Sequence, residues 1–158
     1  MTCSRRWVSL IQVFGGCKIR TGNVIGVDVA EGLAYGDYSC AQVLDSTGNQ
    51  VACWHGHIDP FDYGALVAML GKRFNSAYVV VERNNHGLGT LRKMQDLGYS
   101  NLFVESSVDG AYGDRMTKRG GFLTTSKTKP LIVDNLATLL RQGESGVADM
   151  ELLNELRT

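Results

Sequence analysis

The chain has 158 residues, 44% of them hydrophobic and 20% charged, which fits a single globular domain with an adequate core. Sixteen basic and sixteen acidic side chains cancel to a formal net charge of zero, which excludes the global basic footprint of a dedicated nucleic-acid-binding domain but not a local patch. No apolar run approaches the roughly 20 residues of a membrane span, so no membrane partner is expected.

Residues 1–22 match no element and read as a leader or linker remnant. Stretch 5–17 imitates a signal peptide, but its apolar part is short and Gln12 interrupts it. The β-branched run at 23–30 reads as a buried strand. Tyr38 to Leu44 gives a second strand, Ser46-Thr47-Gly48-Asn49 a turn, and Gln50 to Ile58 a third strand paired with the second. Trp54 should point into the core. His55 and His57 alternate along the third strand and share the opposite face, best read as solvated. The four cysteines, Cys3, Cys17, Cys40 and Cys53, form no Cys-x-x-Cys pair and read as reduced thiols rather than a zinc site.

Asp59 can cap a helix that opens at Pro60 and carries Tyr63, Leu66, Val67 and Leu70 at helical spacing. Ala77 to Glu82 is a fourth strand, His86 to Leu97 a second helix stopped by Gly98, and Leu102 to Glu105 a short fifth strand. Residues 106–125 are polar and Gly-rich, an irregular segment or hairpin. A third helix follows from Pro130 to Leu140, and a last helical piece from Asp149 to Leu156. The sum is a mixed α/β domain over 23–158, in the order βββαβαβ then helices, with a central mixed sheet of about five strands.

Two acids carry the chemistry. Asn23-Val24-Ile25-Gly26-Val27-Asp28 and Tyr78-Val79-Val80-Val81-Glu82 each end an apolar run in a carboxylate. A charge at the end of a buried strand is costly unless paired, and a divalent cation is a natural partner. If the two strands are neighbours, Asp28 and Glu82 meet at one end of the sheet. The simpler alternatives are a turn-capping Asp28 and a Glu82 paired with Arg83 or Arg92. Asp37 equally suits turn chemistry, and Glu31 reads as a solvated loop residue. His86 is a helix cap, a loop contact or a substrate contact. Lys118, Arg119, Lys127 and Lys129 form the best local basic cluster, suited to phosphates, with an ordinary solvated loop as the alternative.

The element order resembles the ribonuclease H-like fold. Val27-Asp28-Val29-Ala30-Glu31-Gly32, Gly36-Asp37-Tyr38-Ser39 and Val80-Val81-Glu82-Arg83-Asn84-Asn85-His86-Gly87 resemble the C-terminal nuclease domain of the phage terminase large subunit, as do Gly121-Phe122 and Thr128-Lys129-Pro130 downstream. The resemblance spans roughly residues 23–158. It implies metal-dependent cutting of double-stranded DNA with two Mg²⁺ or Mn²⁺ ions. Asp28 and Glu82 would be the catalytic metal ligands, with Asp37 an accessory acid near the metals. It also implies an ATPase domain, a small terminase subunit and a portal as partners, in the cytoplasm of a phage-infected or lysogenic bacterium.

Two departures stand out. The family's third acid lies beyond its final Glu-Leu segment, and this chain ends at Glu155-Leu156-Arg157-Thr158; the ATPase half is missing as well. A truncated domain is therefore expected, with Asp134 or Asp149 as candidate substitutes for the third acid. The alternatives are a catalytically incomplete prophage remnant that binds DNA or motor components, another ribonuclease H-like nuclease such as a junction resolvase, and one half of an actin-like nucleotide-binding fold.

Overall fold

The computed structural model describes residues 11–14, 21–109 and 115–156. Their largest sheet has five strands: β1 (Gln12–Val13), β2 (Val24–Asp28), β3 (Ser39–Leu44), β4 (Gln50–Gly56) and β5 (Tyr78–Val81). Their spatial order is β1-β4-β3-β2-β5. Only β2 and β5 run parallel; the other pairs are antiparallel. The mixed sheet and ribonuclease H-like element order thus match the expectation.

Period-two burial decides which way each strand faces. Ile25 and Val27 of β2, Ala41 and Val43 of β3, Ala52 and Trp54 of β4, and Val79 and Val81 of β5 are all buried. They meet α1 (Pro60–Arg73) through Tyr63, Leu66, Val67 and Leu70, and α2 (Gly87–Asp96) through Leu91 and Met94. Helix α1 begins as its sequence dictates: Pro60 occupies the first turn, and the Asp59 carboxylate accepts from the N–H of Phe61 at 2.8 Å and of Asp62 at 3.3 Å.

Two expectations change in detail. The fifth sheet strand is not Leu102 to Glu105. Leu102 makes only a parallel bridge to Val79, after which β6 (Val104–Asp109) pairs with β7 (Arg115–Gly120) as a separate antiparallel hairpin. The edge strand β1, from a stretch that matched no element, supplies the fifth strand; it pairs with Ala52 and Cys53, and Phe14 N–H donates to the Val51 carbonyl at 2.9 Å. Residues 110–114, within the segment read as irregular or a hairpin, lie outside the described residues.

Helix α3 (Thr128–Gln142) starts two residues before Pro130, because Thr125 and Thr128 cap each other: Thr125 N–H donates to Thr128 Oγ1 at 2.8 Å and Thr128 N–H to Thr125 Oγ1 at 3.1 Å. Helix α4 (Met150–Glu155) is capped by Asp149 and held to the sheet by Gln50, whose Oε1 accepts from the N–H of Ala148 at 2.7 Å and of Asp149 at 2.8 Å. Among the described residues no helix is long and apolar enough to cross a membrane.

Candidate metal centre

The parallel pairing of β2 with β5 puts Val27 opposite Val81, and Glu82 N–H donates to the Val27 carbonyl at 2.8 Å. Asp28 and Glu82 therefore leave the carboxyl ends of adjacent strands side by side. Burial raises the pKa of Asp28 above its ordinary value; a carboxyl–carboxyl hydrogen bond to Glu82 and the Glu82 charge push it further up, and Asp37 adds a smaller push. The Val29 backbone N–H acts in the opposite sense. Two carboxyls forced into this proximity share a proton or accept a cation.

The turn from β5 into α2 is built around this pair. Asn85 takes a left-handed φ of 48°, and Gly87 sits so close to the Glu82 carbonyl that a Cβ would collide with it. On the other side, the chain leaving β7 runs against β5. Gly121, at φ +80°, brings its α-carbon so near the strand that a Cβ would lie 2.7 Å from the Val81 carbonyl oxygen. Phe122 N–H donates to the Val81 carbonyl at 2.8 Å, and Arg83 N–H to the Phe122 carbonyl at 2.9 Å. The side chains continue the seam: Arg83 Nη1 donates to the Gly121 carbonyl at 2.9 Å, and Asn84 Nδ2 to Glu82 Oε1 at 3.1 Å and to the Thr124 carbonyl at 2.9 Å.

Arg83 does not pair with Glu82, one of the alternatives for that acid. Its Nη2 lies 2.6 Å from Glu105 Oε2 instead, leaving Glu82 to Asp28 and Asn84.

A cavity of about 430 Å³ opens beside Asp28, lined also by Glu31, Gly36, Asp37, Tyr38, Asn85 and His86. Glu31 is exposed in its loop, as expected of a solvated residue, with its Oε1 3.5 Å from His86 Nε2. His86 occupies the cap position of α2 but makes no side-chain cap bond; it contacts the Glu31 loop and lines the same cavity as Asp28. A second cavity of about 430 Å³ shares Asp28, Asp37 and Tyr38 and extends to His55, Asp149, Glu151 and Glu155. His55 and His57 do lie on one half-exposed face, opposite the buried Trp54. Tyr38 stacks on His57 with ring centroids 4.2 Å apart, and His55 Nδ1 lies 3.4 Å from Glu151.

Neither candidate third acid joins the pair. Asp134 is exposed on α3. Asp149 is buried and engaged: its Oδ1 accepts from Glu151 N–H at 3.0 Å and its Oδ2 from Cys53 Sγ at 3.4 Å. Burial and this carboxylate push the Cys53 thiol up to about 12. Among the described residues, no group of three or more His, Cys, Asp or Glu side chains could hold a metal ion. The two hard oxygen donors Asp28 and Glu82 nevertheless suit magnesium or manganese, which take few protein carboxylates and keep waters.

The basic candidates are all exposed. Lys118 and Arg119 lie on β7, and Lys127 and Lys129 at the start of α3. The segment between these two pairs is the one fastened to the Glu82 strand end. The residues that fasten it, Arg83 and Asn84, had been assigned no such role from sequence, because their partners are backbone carbonyls about 40 positions away.

No family model and no curated protein matches the chain. Solved structures do. The large terminase nuclease from thermophilic phage G20c with bound magnesium is 22% identical, with 94% of this chain and 69% of that one covered and a TM-score of 0.69. The same nuclease with bound zinc is 22% identical over 94% and 77%, with a TM-score of 0.69. The Thermus phage P74-26 large terminase nuclease domain is 22% identical over 94% and 67%, with a TM-score of 0.65. The chain has the fold of a large terminase nuclease domain.

Proposed function

We propose that this chain, with the fold of the large terminase nuclease, is the metal-dependent nuclease domain of a phage DNA-packaging terminase and cuts double-stranded DNA. One observation carries the reading: Asp28 and Glu82 stand side by side at the carboxyl ends of parallel neighbours, close enough for Glu82 to raise the Asp28 pKa. Magnesium-, cobalt- and zinc-bound structures of the G20c nuclease support the use of a divalent ion.

Asp28 and Glu82 would hold two Mg²⁺ or Mn²⁺ ions, with Asp37 as an accessory acid; such ions, when bound, activate water and stabilise the leaving oxygen of a phosphodiester. The chain's own groups supply position and charge. Lys118, Arg119, Lys127 and Lys129 are exposed and would contact phosphates, which orient a duplex without reading its sequence. The terminase ATPase domain, small subunit and portal would be its partners, in the cytoplasm of the bacterial host.

The second reading is a DNA-binding remnant that does not cut. It is favoured by the lack, among the described residues, of a third ligand beside Asp28 and Glu82. Incubation of supercoiled plasmid with the purified chain and Mn²⁺ separates the two. Nicking that disappears in Asp28→Asn supports the nuclease. A folded protein that binds plasmid and leaves it intact supports the remnant.

A further inference from the structure

Asn84 makes two hydrogen bonds through one nitrogen, and both acceptors are fixed by chemistry. Glu82 Oε1, at 3.1 Å, is a carboxyl oxygen, and the Thr124 oxygen, at 2.9 Å, is a backbone carbonyl. Neither Thr124 O nor an ionised Glu82 can donate, so the amide is oriented with its nitrogen between them and its oxygen turned away. That oxygen is buried and has no hydrogen-bond partner among the described residues. A buried amide that leaves its acceptor unmatched in order to present both protons elsewhere carries a cost, and what it gains is a fixed orientation of Glu82.

We propose that Asn84 is the positioning residue of Glu82: its amide selects one orientation of the carboxyl for metal binding and locks that orientation to the 121–124 segment. The inference rests on the metal-centre reading of Asp28 and Glu82 and deepens it. Glu82 follows the last residue of β5, where a side chain with three torsions has no packing neighbour dictated by the strand's alternation. A hydrogen bond to one oxygen leaves the other for a cation, which is how partners of a ligating carboxylate tune a metal site. Arg83 fastens the same segment one residue earlier, through Gly121 and Phe122, so its first residues are anchored beside β5 without Asn84. Thr124 lies three residues before Lys127 and five before Lys129. The carboxyl and the start of the basic helix therefore share one anchor.

The test is a Co²⁺ titration of the DNA-free protein, read by the visible d–d absorption band, on the unmodified chain, Asn84→Ala, Asn84→Leu, Asp28→Asn and Glu82→Gln. Leucine fills the space of asparagine without a donor, so it separates packing from hydrogen bonding, and it decides the matter if Asn84→Ala fails to fold. The expected result is Co²⁺ affinity about 10–100-fold weaker in both Asn84 variants, the range for lost partners of ligating groups, with an altered band. Asn84→Leu with the affinity and band of the unmodified chain, while Glu82→Gln loses both, would overturn the role of Asn84 and leave the metal centre standing. An unmodified chain whose Co²⁺ response is the same in Asp28→Asn and Glu82→Gln would overturn the metal-centre reading and this inference with it.

Discussion

Asp28 and Glu82 lie one residue beyond the register pair Val27 and Val81, so two acids 54 positions apart in sequence leave adjacent parallel strands at the same level. Their proximity has a cost in the metal-free protein. The Asp28 pKa is raised by burial and by Glu82. A carboxyl whose folded pKa exceeds its unfolded value holds a proton that the unfolded chain releases, so its contribution favours folding at low pH and is lost as pH rises through the raised value.

The metal-free protein is therefore expected to lose thermal stability as pH rises from about 4, the ordinary carboxylate range, through the raised Asp28 pKa. Asp28→Asn should flatten that part of the profile and raise the neutral-pH melting temperature, because the variant has no carboxyl to ionise beside Glu82. Differential scanning calorimetry from pH 4 to 8 checks it. An unchanged profile in the variant counts against the coupling.

Mn²⁺ should act in the opposite direction on the unmodified chain. At a free concentration about 100 times its dissociation constant, an ion that binds only the folded state stabilises by ~2.7 kcal/mol, or roughly 5–10 °C. The increase should vanish in Asp28→Asn and Glu82→Gln when the same melts are repeated with EDTA and with Mn²⁺.

Gly87→Ala places a methyl group against the Glu82 carbonyl, and Gly121→Ala combines a crowded Cβ with a left-handed φ. Each should cost about 1–3 kcal/mol in urea denaturation, the usual range for overpacking. Gly98→Ala is the control for φ alone, since its Cβ meets nothing within 4 Å at φ +71°; it should cost less than Gly121→Ala.

Removing Lys127 or Lys129 should weaken duplex binding about equally for unrelated sequences. Each loss should also lower the slope of log affinity against log salt by about 0.9 if that side chain contacts one phosphate. Fluorescence anisotropy across a salt series, with Ca²⁺ in place of Mn²⁺ to suppress cutting, measures both quantities. An unchanged slope would return these lysines to the solvated surface.

The acid pair was legible in the sequence because both of its causes are local: a β-branched run, and a charge that ends it. Helix α1 was legible for the same reason, through Asp59 and Pro60. The β1 edge was not, since two residues give no period to recognise. Nor was the departure of the chain from β5 after Leu102, where a single bridge to Val79 looks in sequence like the start of a sheet strand. Placing α4 depended on Gln50, whose amide reaches the backbone at Ala148 and Asp149 across 98 and 99 positions. The seam made by Arg83 and Asn84 was hidden likewise, because a backbone carbonyl carries no mark of its residue type.

The two short segments lying along β5 have a consequence for self-association. A sheet that ended at an open β5 would present a row of unpaired backbone groups, a template on which another chain could add a strand. Here Val79 N–H donates to the Asn101 carbonyl at 2.9 Å, its carbonyl accepts from Phe103 N–H at 2.8 Å, and the Val81 carbonyl accepts from Phe122 N–H at 2.8 Å. The outer margin of β5 is spent on the chain's own loops. Four hydrophobic or aromatic residues in a row, Tyr78 to Val81, have the composition that stacks in cross-β assemblies; the backbone contacts beside Glu82 also occupy the groups that such stacking would need.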